Sequence, residues 1–164
     1  MTRAIRLLIS VFIVIVISSM PIIAGAATAT SLPTNFVGNV DYLIDIRNPE
    51  TSFSTTTNRN CVISAVAAKG SKVVLYSLNA AGTAFEVMRD AYGNILESTV
   101  GASGLYVQQI TLKDGKNTIL VVASSSASIC ETIRLDVSLL NQGYMDNVNG
   151  SFKSYGIGVI DIFN

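Results

Sequence analysis

Apolar and polar residues alternate with a period of two along much of this chain, the spacing of β-strands with one buried face. In residues 37–46, Val40, Tyr42, Ile44 and Ile46 share one parity, and Asn39, Asp41 and Asp45 take the other. Asn48-Pro49 closes that strand, because proline donates nothing to a ladder and disfavours helix before it. Residues 51–60 are rich in Ser, Thr and Asn and predict a connection rather than an edge strand. Strand character returns at 61–67, turns at Lys69-Gly70-Ser71, and resumes at 72–78. There Val73 and Leu75 oppose Val74, Tyr76 and Leu78, so this strand is expected to be covered on both faces.

Shorter strands are predicted at 84–89 and 95–100, separated by the turn Asp90-Ala91-Tyr92-Gly93-Asn94. Residues 105–123 predict an antiparallel hairpin folded at Asp114-Gly115, since glycine tolerates positive φ and aspartate bonds its own backbone. Its return arm carries Ile119, Val121 and Ala123 on one face and Leu120 and Val122 on the other, which makes it central. Residues 124–128 predict a serine-rich loop. In 129–139, Ile129, Ile133, Leu135, Val137 and Leu139 oppose Thr132, Arg134, Asp136 and Ser138. Seven or eight short strands, with Gly, Asn, Asp and Ser between them, predict an all-β fold, an antiparallel β-sandwich.

The N-terminus predicts export. Arg3 and Arg6 precede an uncharged apolar run at 7–17, and Ala24-Gly25-Ala26 has the small-x-small pattern of a signal peptidase site. Cleavage is expected between Ala26 and Ala27. The competing reading is a retained anchor, because 7–27 is long enough to cross a bilayer at about 20 residues. Pro21 and Ser18-Ser19 oppose a clean spanning helix. The predicted organisation is a signal peptide at 1–26, a flexible leader at 27–36, the sandwich at 37–140 and an extension at 141–164. Within that extension, 157–163 is apolar enough to add an edge strand.

Loss of the signal peptide changes the charge. The chain has eleven basic and eleven acidic residues, and removing Arg3 and Arg6 leaves nine against eleven, a formal charge of −2. The cations are scattered, so no nucleic-acid footprint is present. Histidine is absent, which excludes catalytic triads built on it and removes the commonest metal ligand. No enzyme activity, metal or cofactor is expected.

Cys61 and Cys130 are the only cysteines. An oxidising destination favours a disulfide between them, closing a loop of about seventy residues and stabilising by about 4 kcal/mol on the chain-entropy account. Strand parity opposes it: Cys61 goes with Ile63, whereas Cys130 is opposite to Ile129, Ile133 and Leu135. The segments at 90–94 and 146–150 each carry one carboxylate, too few for a calcium loop, and predict ordinary turns. Asp41 and Asp45 share a strand face and predict an exposed polar surface. Tyr92, Tyr106, Tyr144 and Tyr155 are candidates for stacking on sugar rings, although tryptophan, the larger platform, is absent.

Three stretches resemble the bacterial immunoglobulin-like modules of secreted and cell-surface proteins. The segment around Asn48-Pro49 looks like that family's opening strand; CVISAVAAKGSKVVLY, residues 61–76, is similar to its second and third strands; and residues 112–123 are similar to its turn-glycine, asparagine, alternating-apolar segment. The likeness covers about residues 40–140. Ala65 departs from a frequent glycine, and 124–128 from a frequent Asp-x-x-Gly-Asn turn. The resemblance implies an Ig-like sandwich serving as a spacer or binding platform, with a protein or a cell-envelope polysaccharide as partner and membrane contact only through an uncleaved signal segment. The alternatives are a carbohydrate-binding module and self-assembly by strand addition at 51–60 or 157–163.

Overall fold

The computed structural model describes residues 28–141 together with Gly143 and Asp146. The export segment, the Ala26/Ala27 cleavage site, all of the 146–150 turn after Asp146 and the apolar piece at 157–163 lie outside the described residues. Ten strands occur among those described: β1 (Ser31–Pro33), β2 (Ile44–Asn48), β3 (Phe53–Thr56), β4 (Asn60–Ala67), β5 (Lys72–Leu78), β6 (Ala84–Val87), β7 (Glu97–Thr99), β8 (Leu105–Thr111), β9 (Gly115–Ser126) and β10 (Ile129–Leu139). The fold is all-β, in two sheets.

The larger sheet has seven strands in the order β1-β6-β5-β9-β10-β3, with β7 also on β5; the smaller has the order β2-β4-β8. Strands β6 and β7 share one edge of β5, along Tyr76–Leu78 and Lys72–Val74 respectively. Between them the chain makes a small excursion closed by a bridge from Arg89 to Ile95. Every named pairing is antiparallel except β3 with β10, which is parallel.

The sheets meet over one apolar core. Ile63, Ala65, Tyr106 and Ile110 come from the smaller sheet, and Val73, Leu75, Ile119, Val121, Leu135 and Val137 from the larger. Full burial of each such aliphatic side chain is worth roughly 1.5–3 kcal/mol, so this layer dominates the stability. A second cluster lies on the other parity of the larger sheet: Val74, Tyr76, Phe85, Leu120 and Val122, with Leu32, Phe36 and Cys130 packed against it. This is why β5 and β9 are apolar on both parities, as their sequences predict.

Five expectations need correction. The arms around Asp114-Gly115 do not form a hairpin: β8 pairs with β4 in the smaller sheet, while β9 pairs with β5 and β10 in the larger. Gly115 does take φ +80°, yet the turn carries the chain between sheets, pivoting on Leu112, which is 1% exposed. Arg59 secures this corner through the Leu112 carbonyl at 3.3 Å and an ion pair with Asp114.

The leader is built into the fold. Ser31–Pro33 pairs with β6, the Tyr76 hydroxyl donates to the Ala29 carbonyl at 3.0 Å, and Leu32 and Phe36 cover the second cluster. The 51–60 connection contains β3, which takes the open edge of β10. The first strand starts at Ile44 rather than 37, because residues 38–40 lie against β10 instead: Gly38 N–H donates to the Thr132 hydroxyl at 2.9 Å and Asn39 N–H to the Cys130 carbonyl at 2.8 Å. Finally, Ser124–Ser126 belongs to β9 and pairs with the start of β10 across a bulge at Ile129/Cys130.

Candidate functional site

The smaller sheet presents its outer face to solvent, and that face carries an apolar patch among polar residues. In the register of β4 with β8, Val62 opposes Gln109, Ser64 opposes Val107, and Val66 opposes Leu105. Leu105 and Val107 are 63% and 65% exposed, and Val62 and Val66 are 39% and 43% exposed. Strand β2 contributes Asp45 at the Val66 level. Asp45 pairs with Arg47 at 2.7 Å, both well exposed, and such a pair adds little stability. A shallow depression of about 340 Å³ joins this face to Asp41, Tyr42 and Asp45. The structure therefore places both predicted carboxylates at one rim, although Asp41 precedes the strand.

The edge of this face is β8, which has no neighbour beyond β4 among the described residues. At its two ends the Gly104 carbonyl accepts from Ala67 N–H and Leu112 N–H donates to the Arg59 carbonyl, both at 2.8 Å. Hydrogen-bonded pairs alternate along an antiparallel ladder. The even positions of β8 therefore bond to β4, and Leu105, Val107, Gln109 and Thr111 turn their backbone groups outward. Two of those groups find local partners: Leu105 N–H donates to the Ser103 hydroxyl at 3.3 Å, and the Gln109 carbonyl accepts from the Gln108 amide at 2.9 Å. On the inner side of the strand, the Tyr106 hydroxyl is buried without a hydrogen-bond partner, and burial pushes its pKa well up.

The sequence signal for this surface lies in its doubled parity. Val62 and Val66 oppose Ile63 and Ala65, and Leu105 and Val107 oppose Tyr106 and Ile110. In β5 and β9 the same doubling marks a strand covered on both faces, but here one of the faces meets water.

The remaining candidates separate. Tyr106 is only 3% exposed, so the ring proposed for sugar stacking is core; Tyr92 is 90% exposed at the tip of the excursion, and Tyr144 and Tyr155 lie outside the described residues. Asp90 is engaged with its own turn, accepting from Tyr92 N–H at 2.8 Å and from the backbone and side chain of Asn94 at 2.9 Å. The Asn94 side chain foremost, with the turn's backbone N–H groups, holds the Asp90 carboxyl below its ordinary pKa.

Cys61 and Cys130 are both free thiols. Cys61 packs on the core between the sheets and Cys130 on the cluster of the opposite face, so the body of the larger sheet stands between them. Near the chain's entry into the fold, Thr28 donates to Glu97 and accepts from Lys72 at 2.6 Å, and Lys72 pairs with Glu97 at 2.9 Å. The Thr28 hydroxyl and the Lys72 ammonium hold the Glu97 carboxyl below its usual range. This cluster fastens the N-terminal segment to the edge of β5.

No known protein family's sequence profile matches the chain, and no curated protein shows significant similarity to it.

Proposed function

We infer that this chain is a secreted or cell-surface Ig-like module of bacterial type with a non-catalytic structural or interaction role. The observation that carries the reading is the strand order. The order β2-β4-β8 in one sheet and β6-β5-β9-β10 in the other supports the reading, because an immunoglobulin sandwich would have the order A-B-E in one sheet and C-F-G, with a strand beside C, in the other. The signal-peptide pattern at 1–26 supports the address.

An open strand edge beside an apolar face favours strand addition over sugar binding as the mode of interaction. An extended segment gains main-chain bonds from the outward groups of β8 and side-chain contact from the apolar row. A carbohydrate site needs exposed rings arranged as a platform; of the rings named for that role, Tyr106 is core and Tyr92 is exposed at the tip of the excursion between β6 and β7.

The test is fractionation of the producing cells combined with protease shaving. The mature chain is expected in the medium or on the surface, starting at Ala27. A cytoplasmic location overturns the address. Affinity electrophoresis on soluble and insoluble glycans is expected to show no retardation; retardation would replace the reading with a carbohydrate-binding one. Hydrolysis of a polymer, abolished by one carboxylate substitution, would overturn the non-catalytic role.

A further inference from the structure

We propose that the edge of β8 and the hollow at its Thr111 end form one groove for an extended segment of a partner protein. The segment carries a bulky apolar residue that enters the hollow and, shortly before it, a carboxylate that meets Lys113. This names the partner chemistry of the strand-addition reading and rests on it.

The edge itself is suited to pairing. Solvent edges of sheets in soluble proteins usually hold a lysine, a proline, a bulge or an inward charge that discourages a further strand. The sequence of β8, LYVQQIT, holds no charged residue and no proline, and its register with β4 runs without a shift. At its middle, Val107 turns its backbone N–H and carbonyl away from β4, and no strand takes them among the described residues.

The hollow supplies a place for one side chain. Ile110 of β8, Leu112 just beyond it, Ile119 of β9 and Met88 after β6 line a space of about 350 Å³. A cavity of about 150 Å³ already admits a benzene ring, so a leucine or phenylalanine side chain has room here. Ile110 is 3% exposed and belongs to the inward side of β8, with Tyr106. Residues directly opposite each other in an antiparallel pair project to the same face. The residue of an added strand that stands beside Ile110 therefore projects to the side where the hollow lies.

The mouth of the hollow is positive. Lys113, Asp114 and Lys116 line it together. Asp114 is neutralised by Arg59, and Lys116 shares Asp136 with Arg134. Lys113 is left with no ion-pair partner among the described residues. In an antiparallel segment, the residues before the one beside Ile110 run past Thr111 and Leu112 toward Lys113. An acidic residue two or three places before the apolar one complements that charge.

A second copy of β8 does not meet these terms. In a twofold pairing its inward residues, Tyr106 and Ile110, stay in their own core and leave the hollow empty. It also brings no carboxylate.

Nuclear magnetic resonance titration of the full mature chain with the synthetic peptide ESTLTTVTT tests this. Aligned antiparallel to β8, the peptide sets its Glu beside Lys113, its Leu beside Ile110 and its Val beside Val107. Saturable shifts are expected, largest at the Val107 and Gln109 amides and at the Met88 and Ile119 methyl groups. With Ser in place of the peptide's Leu, binding is expected to weaken about tenfold or more, the worth of burying one such side chain. Lys113→Glu, at an exposed position, is expected to weaken the original peptide about two- to fivefold and to bind better the peptide with Lys in place of Glu. Equal binding of all three peptides overturns the proposed partner chemistry and leaves strand addition standing. No saturable shift with any of them overturns both. Shifts at Val107 and Gln109 that grow with protein concentration alone, alongside a dimer in sedimentation, identify a second copy as the occupant and overturn the proposal. The surface address and the non-catalytic role are read separately, by fractionation and by assays on polymers.

Discussion

The carboxylate of Glu131 accepts the backbone N–H of Leu43 at 2.6 Å, across 88 residues of chain. The same oxygen takes Ile44 N–H at 3.0 Å, and the Glu131 residue is 7% exposed. One side chain on β10 thus satisfies the two donors with which the chain enters the smaller sheet. Replacing it by Leu leaves two buried N–H groups unbonded, and an expected loss of about 2–4 kcal/mol follows. Glu131→Gln keeps an acceptor oxygen at the same reach and is expected to lose less than half as much. Urea denaturation of the three proteins decides it; equal stability of wild type and Glu131→Leu would show that the donors find other partners.

Gly38 is the second fastening of the same segment. A Cβ there would meet the Cys130 carbonyl oxygen at 2.5 Å, the Glu131 Cα at 2.6 Å and the Thr132 nitrogen at 2.8 Å. All three are backbone atoms of a central hairpin and cannot swing aside. Gly38→Ala is therefore expected to destabilise by about 1–3 kcal/mol, the usual range for overpacking. Gly101→Ala, at a position with open space around the added carbon, is the control and is expected to change little. Thermal melts of both variants test the contrast.

Most of the strands were legible in this sequence and their partners were not. Residues 72–78 and 129–139 read correctly because periodicity reports which side chains are buried, a local matter. Asp114-Gly115 misled because turn chemistry fixes a reversal of direction without fixing which sheet each arm joins; the buried Leu112 makes the corner an arch rather than a hairpin. Strand β3 went unseen because Phe53 is 75% exposed and its pairing is supplied by β10, through bonds such as Asp136 N–H to the Ser52 carbonyl at 2.7 Å. Glu131 shares parity with Ile129 and Ile133, so a buried carboxylate was available to the pattern, but its partners at Leu43 and Ile44 are set by tertiary contact alone. The apolar outer face was written in Val62, Val66, Leu105 and Val107, whose doubled parity does not reveal whether water or protein lies beyond.

Asp136 makes the fold acid-sensitive. Its burial acts to raise the carboxyl pKa, but the Thr118 hydroxyl at 2.6 Å, the Lys116 ammonium at 3.2 Å and the Arg134 guanidinium at 3.6 Å outweigh that and hold it below the ordinary value. A carboxyl depressed in the folded state contributes stability that is present above its unfolded pKa and is lost as pH falls through the folded one. The contribution is therefore expected to be complete above about pH 5 and to fade below about pH 4. Asp136→Asn is expected to cost about 1–3 kcal/mol at pH 7 and to narrow its gap from the wild type as the pH approaches 2. Parallel stability curves for the two proteins across that window would contradict the assignment.

The two thiols offer a check on the layering itself. Cys61 is carried by β4 and packs into the space between the sheets, while Cys130, at the bulge of β10, joins the cluster on the far face of the larger sheet. A disulfide requires Cβ atoms within about 4.5 Å, which two residues on opposite sides of a sheet do not meet without taking it apart. Denatured but unreduced protein, purified from the medium, is expected to bind two equivalents of an alkylating reagent. In the native state Cys61 is expected to label more slowly than an unhindered cysteine, since burial raises its pKa and depletes the reactive thiolate. If neither thiol appears until a reductant is added, the two side chains meet, and the assignment of one to each side of the larger sheet fails.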